Sequence, residues 1–317
     1  MTNRNNTPYL PCFDEFILNL RANNFSDETC YNYERDLKTF EHFLQKDIQK
    51  SFANLDKKDI LRYKAFLNSI DRKTAELKNS KKHLCSFSIN RILSALRSYL
   101  KFLEDIDQVS PFSPTSIKLV KTEKKHARIP EFEEIIKLIE APVQFEKNKQ
   151  IALRNRAMLE TLFATGMRIS ELLSLKVRQI DKTGRIYIMG KGKKQRFVYL
   201  TPRSLLHLKN YLTKRNSDSE MLFVPYRGLN NQKKDKKISP NYLQFKIKQY
   251  RELLDINIPI SAHTLRHGFA TFLAENGASP AAIQILLGHE SLDTTTRYVH
   301  ASDRFAEQTH KKFHPLA

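Results

Sequence analysis

Six residues, in the chain order Arg168, Lys191, His263, Arg266, His289 and Tyr298, are of the types needed to break and remake a phosphodiester bond without a metal ion. An arginine grips a phosphate through parallel N–H donors. A tyrosine hydroxyl can attack phosphorus and hold the product covalently. Lysine and histidine can carry protons to and from the oxygens that change partners. His263 and Arg266 are three apart where a helical pattern opens, so they share a face near a helix N-terminus, where an anion is favoured. Glu171, three residues after Arg168, can orient that guanidinium or simply pair with it at the surface. Taken singly, each residue has a plainer reading: Arg168 as a surface ion-pair residue, Lys191 as part of a solvated turn, Tyr298 as an amphipathic packing residue. His263 and His267 also form an HxxxH pair. However, position 264 is Thr where a metalloprotease motif has Glu, and no cysteine or carboxylate is placed to complete a zinc site. We therefore expect no metal.

These residues fall at breaks between elements. A helix is expected from about Asn148 to Ala164, ending at Thr165-Gly166, with Gly166 as a C-cap. Arg168 then opens the short helix Ser170 to Leu175. Arg185 to Met189 and Phe197 to Leu200 read as strands, and Gly190-Lys191-Gly192-Lys193-Lys194 as the turn of a basic hairpin. Gly-x-Gly between strands is not a Walker loop, which needs GxxxxGK[ST] before a helix. His263 opens a helix running toward Ala274 and ending near Gly277. Ser279-Pro280 starts another, which stops at Gly288 just before His289. Ser291 is placed to cap a last helix, Leu292 to His300, that carries Tyr298.

The rest of the chain is mostly helical in pattern. Tyr33, Leu37, Phe40 and Leu44 recur at helical spacing between Ser26 and Gln45. Ile60, Tyr63, Phe66 and Leu67 do so between Lys57 and Ile70, and Ile89, Ile92, Leu93, Leu96, Leu100 and Leu103 form a broad stripe after Ser86. Arg72 to His83 is polar, basic and without period, a loop that could face DNA. Asp107 to Arg128 carries Pro111, Pro114 and a basic run, and reads as a flexible strap between two domains. In the second domain, a helix from Glu131 is expected to stop at Ala141-Pro142. Two more are expected from Pro202 to Lys214 and from Pro240 to Leu254, with a polar, basic loop between Gly228 and Lys237.

Composition agrees with a polyanionic partner. The 317 residues carry a formal net charge of +20, and phosphate neutralisation with counterion release is its simplest use. Mean hydropathy is −0.52, and no apolar run approaches the roughly 18 residues of a membrane span. The N-terminus has no apolar signal-peptide core. Cys12, Cys30 and Cys85 are odd in number and widely spaced, which argues against a disulfide framework. A cytoplasmic protein with no membrane insertion is expected.

The stretches ATGMRISEL, GKGKKQRFVYL, HTLRHGFAT and LLGHESLDTTTRYVH together resemble the tyrosine recombinase (phage integrase) family, in that family's order and spacing and over nearly the whole chain. Within it the chain is most similar to the Xer site-specific recombinases. It begins almost directly with a core-binding region, without room for an arm-binding domain, and ends in His314-Pro-Leu-Ala317, similar to Xer endings. It departs from Xer proteins in being somewhat longer, with the excess at the N-terminus and in Arg72 to His83. The resemblance implies a mainly α fold with a small β-hairpin (α+β) in two domains that form a C-shaped DNA clamp. These are a SAM-like helical core-binding domain at 8–106 and a catalytic domain at 129–317, joined by a basic linker at 107–128.

It also implies a reaction and its agents. Tyr298 would attack the scissile phosphorus to give a 3′-phosphotyrosyl link. Arg168, Arg266 and His289 would stabilise the charged oxygens. His263 would assist proton transfer at the tyrosine, Lys191 would protonate the leaving 5′-oxygen, and Glu171 would support the cluster. No ATP, metal or other cofactor is implied. The implied partner is a double-stranded, dif-like recombination site. Four protomers on two such sites would form a homo- or hetero-tetramer, with a second Xer recombinase and a cell-division DNA translocase as further partners. The implied task is the resolution of chromosome and plasmid dimers to monomers. Three rival readings stand beside it: an integrase or excisionase of a mobile element, a relaxing topoisomerase IB, and a DNA-binding protein that no longer cuts.

Overall fold

Apolar residues at helical spacing build the N-terminal unit, Met1–His126, one of two into which the chain divides. The computed structural model describes residues 10–69, 83–123, 130–189, 195–226 and 237–288. The first unit packs α1 (Phe13–Ala22), α2 (Asp27–Phe43), α3 (Lys57–Asn68) and α4 (Ser86–Asp105) around one core. Ser26 caps α2 by accepting the Thr29 N–H, and the Asp56 carboxylate caps α3 by accepting those of Lys58 and Asp59. The expected stripes face inward: Leu37, Phe40, Tyr63, Leu67, Leu93, Leu96 and Leu100 are all buried. Asp36, buried in α2, accepts from Arg91 of α4 at 2.6 Å, a tie that a solely apolar core would lack. The periodic reading omitted α1. Its Phe16, Ile17 and Leu20 are buried and its first turn carries Asp14 and Glu15, but the helix is too short for a repeating stripe.

The segment expected to be a loose strap from Asp107 is packed onto this unit as far as Val120. Phe112 and Ile117 enter the core. Asn90 clamps Val120 with both amide groups, donating Nδ2 to its carbonyl at 2.9 Å and accepting its N–H at 2.8 Å. Buried apolar side chains thus override the proline signal. The loop expected at Arg72 to His83 lies almost wholly outside the described residues.

The second unit, Ala127–Ala317, is built on α6 (Lys149–Thr165), buried along nearly its whole length. Packed around it are α5 (Phe132–Phe145), α7 (Ile169–Leu173), α8 (Pro202–Lys214), α9 (Pro240–Leu253) and α10 (Ala262–Glu275), with α11 (Pro280–Leu287) against α10. β1 (Arg185–Met189) and β2 (Gln195–Tyr199) pair antiparallel, Ile188 opposite Arg196 and Ile186 opposite Val198. In that register Ile186, Ile188, Arg196 and Val198 point into the protein. α5 does not stop at Pro142 as expected. It runs on to Phe145, with Ala141 and Pro142 buried and the Pro142 carbonyl accepting from Glu146, so packing outweighs the one backbone donor that proline lacks. α6 is fastened to the loop before α9 by Arg154, fully inside the protein, which donates to the Val224 carbonyl at 2.9 Å and shares Asn155 with Tyr242 and Tyr250.

Gly166 ends α6 with φ +59 and ψ +18, a left-handed conformation in which a side chain costs roughly 1–2 kcal/mol. A Cβ there would also lie 2.3 Å from Cδ1 of Phe269 on α10, and such overpacking costs roughly 1–3 kcal/mol. Gly166→Ala is therefore expected to destabilise the protein by about 2–5 kcal/mol, measured by urea denaturation of the full chain.

Candidate active site

The left-handed turn at Gly166 releases the chain from α6 and sets Arg168 as the residue that caps α7. The helix start is closed by a side chain three residues on: Glu171 accepts the Arg168 backbone N–H on Oε2 at 2.7 Å. The same carboxylate accepts Arg168 Nη1 on Oε1 at 3.1 Å. Glu171 is thus both helix cap and guanidinium holder, and it is buried. Of the two sequence readings for Glu171, orientation and surface pairing, the structure has the first, because the carboxylate is inside.

Arg266 reaches the same place from α10. The Ser261 side chain caps that helix by accepting the Thr264 N–H. Arg266, one turn in, is only 4% exposed. Its Nη1 donates to the Gly166 carbonyl and its Nη2 to the Leu287 carbonyl, both at 2.7 Å. One guanidinium therefore joins the end of α6 to the end of α11, two residues from Arg168 and two from His289 along the chain.

His263 lies one turn before Arg266. Its ring stands edge-on to His267 with Nε2 atoms 2.7 Å apart, so one nitrogen must carry a proton and the other a lone pair. Partial burial, and then the positive charges of Arg266 and Arg168, hold the His263 imidazole below its usual range. Both charges act on one ring. For Glu171, burial alone would raise the carboxyl pKa. The hydrogen bonds from Arg196 and from the Arg168 backbone, with the charges of both arginines, outweigh it and lower the pKa.

Arg196 was not singled out in the sequence. It is buried on β2, donates to both oxygens of Glu171 at 3.0 and 2.6 Å, and donates Nε to the Leu286 carbonyl at 2.9 Å. The signal was there: an arginine at an inward-facing strand position, two before Val198, needs a carboxylate to meet it. Lys191, His289 and Tyr298 lie outside the described residues. Among the described residues, no group of three or more His, Cys, Asp or Glu is placed to hold a metal ion, and no helix is long and apolar enough to cross a membrane.

Residues 130–304 match the phage integrase family, and residues 13–105 match the phage integrase N-terminal SAM-like domain. The chain belongs to the phage integrase family. It is 33% identical over 305 residues to tyrosine recombinase XerC of Leptospira interrogans serogroup Icterohaemorrhagiae serovar copenhageni, covering 93% of this chain and 89% of the relative. It is 31% identical over 299 residues to tyrosine recombinase XerD of Staphylococcus haemolyticus, covering 92% and 94%. Its fold is similar to that of the XerH site-specific recombinase solved bound to a palindromic difH substrate, with a TM-score of 0.69, 23% identity, and 92% of this chain and 82% of that one covered. Membership makes the chain a tyrosine recombinase in class, an enzyme of DNA cutting and rejoining.

The His263 environment has a direct consequence. A lowered pKa means that the native imidazole stays neutral below pH 6.5, its ordinary midpoint. The unfolded chain takes up that proton first, so this group withdraws stability as pH falls through about 6.5. NMR titration of histidine-labelled protein is expected to place the His263 midpoint below 6.5. Arg168→Gln, which removes one of the positive charges acting on the ring, is expected to move it upward.

Proposed function

We propose that this phage integrase family member is a site-specific recombinase of Xer type that cuts and rejoins DNA through a 3′-phosphotyrosyl intermediate. The observation that carries the reading is the pair Arg168 and Arg266, the first held by Glu171 and the second by the carbonyls of Gly166 and Leu287, so that both guanidinium groups are fixed in place before any substrate arrives. Preorganised donors cost no reorganisation when charge develops on a phosphate, and this is where most catalytic stabilisation is found.

In this reading Tyr298 Oη attacks the scissile phosphorus and the P–O5′ bond breaks. The tyrosine hydroxyl ordinarily titrates near about 10, so its proton must be taken up as it attacks. His263, held neutral, receives it. Lys191 gives a proton to the departing 5′-oxygen. Arg168 and Arg266 meet the non-bridging oxygens, and His289 adds a hydrogen bond to them. The phosphotyrosyl link keeps the energy of the broken bond, so an incoming 5′-hydroxyl can reverse the step on a new partner strand without ATP. Each protomer would hold half of a short, roughly palindromic, dif-like site. Four protomers, of this chain alone or with a second Xer recombinase, would exchange strands between two sites. The task this serves is resolving chromosome and plasmid dimers in the cytoplasm at cell division, with a DNA translocase as the natural activator. The net charge of +20 supports so extensive a phosphate contact.

The test is a denaturing gel after incubation with a nicked duplex carrying a candidate site, without metal. The nick lets the cleaved fragment leave and traps the adduct. Wild type is expected to give a protein–DNA band and Tyr298→Phe none. Arg266→Ala is expected to slow its formation by about 10²–10³-fold. A protein that binds the site yet never yields the band, even with a second recombinase added, would be a non-cutting DNA-binding protein.

A further inference from the structure

Arg196 has no place in the chemistry above, yet it is as deeply set as the residues that do. Its side chain is 5% exposed, and all three of its guanidinium nitrogens are engaged by Glu171 and the Leu286 carbonyl. Its guanidinium forks the Glu171 carboxylate, Nη1 to Oε1 at 3.0 Å and Nη2 to Oε2 at 2.6 Å. With the backbone N–H and Nη1 of Arg168, four donors reach two oxygens, which offer about four lone-pair sites. The carboxylate is saturated.

Saturation decides what Arg168 can do. A guanidinium beside a carboxylate with open sites turns in and forks it, because the bidentate pair is the strongest geometry available to both. Here that geometry is already taken by Arg196. Arg168 is left with a single side-chain bond to Glu171, and its side chain is 39% exposed. Its Nε and Nη2 are uncommitted to any described residue. It is held in place but keeps donors for an outside anion.

The other end of Arg196 fixes the opposite wall. Nε donates to the Leu286 carbonyl at 2.9 Å, next to the Leu287 carbonyl that accepts from Arg266. The chain then leaves α11 through Gly288 at φ +65, directly over the Arg196 stem: a Cβ at Gly288 would lie 3.0 Å from Arg196 Cδ.

We propose that Arg196 is a positioning residue of the strand-cleavage reaction, which occupies Glu171 so that Arg168 presents its free donors to the scissile phosphate, while pinning the end of α11 beside Arg266. This rests on the reading that Arg168 grips that phosphate, and it assigns to β2 a part in catalysis separate from any contact its turn makes with DNA.

The experiment compares two nicked duplexes of one sequence. One has the ordinary scissile phosphodiester. The other has a methylphosphonate there, in which a methyl group replaces one charged oxygen and removes the demand for one arginine. Wild type, Arg168→Ala, Arg196→Met, Arg196→Lys and the Arg168→Ala/Arg196→Met double variant are assayed for duplex affinity and for the rate of covalent adduct formation. Arg196→Lys keeps the charge but cannot fork a carboxylate, and it guards against a methionine variant that fails to fold.

On the phosphodiester, Arg168→Ala and Arg196→Met are expected to slow adduct formation by about 10²-fold, and Arg196→Lys by about tenfold, with duplex affinity little changed. On the methylphosphonate all three are expected to recover to near the wild-type rate, and the double variant to be no slower than Arg168→Ala, as non-additive partners in one network should be. An Arg196→Lys variant equally slow on both substrates, while Arg168→Ala recovers, would make Arg196 a structural ion pair and overturn the proposal. So would Arg196 variants as fast as wild type, or losses that simply multiply in the double variant. If Arg168→Ala itself fails to recover on the neutral linkage, the phosphate-grip reading falls first and takes this inference with it.

Discussion

The structure of the site depends on one buried carboxylate. Glu171 accepts hydrogen bonds from the backbone of Arg168, from its guanidinium and from both terminal nitrogens of Arg196. A buried charge without partners is costly, and removing one member of such a set typically costs about 3–5 kcal/mol. Glu171 therefore cannot be moved without moving the helix start it caps, the arginine it holds and the strand that carries its second arginine. An apolar trio of similar volume could be as stable, so stability alone does not call for these charges. What apolar side chains could not do is hold a guanidinium at the surface in one orientation.

Much of this arrangement is legible in the sequence because it is punctuated. Gly166, Gly277 and Gly288 mark helix ends, and each has positive φ. Ser26 and Ser279 mark starts, and each caps its helix. Glycine and serine act through their own backbone and side chain, so one residue suffices to read them. The same holds for the hairpin strands, with β2 beginning two residues before the expected Phe197.

What the sequence hid depends on partners far along the chain. Arg196 lies 25 residues from Glu171 and 90 from Leu286. Starting the strand at Phe197 left Arg196 unassigned, between a basic turn that ends at Lys194 and the strand. One residue of alternation turns it inward, opposite Ile188. The strap from Asp107 was misread for a similar reason: prolines and serines signal a loop, but Phe112 and Ile117 find a core built from α4 and the helices before it. Local signals report conformation, whereas burial is decided by what the rest of the chain offers.

The two helix ends explain why the arginines and glycines belong together. A helix finishes with carbonyls that have no partner within it, and its C-terminal end carries partial negative charge that favours a cation. α6 ends at Gly166 and α11 at Gly288, both left-handed. The carbonyls exposed there, those of Gly166, Leu286 and Leu287, are the acceptors that Arg266 and Arg196 use. Each guanidinium satisfies helix ends that would otherwise need water, and each helix end fixes a guanidinium. Carbonyl dipoles orient a cation without cancelling its charge, so Arg266 is fixed yet keeps its full positive charge. A side chain at either glycine would strain the left-handed turn that presents those carbonyls, so the glycines act on the arginines through the backbone.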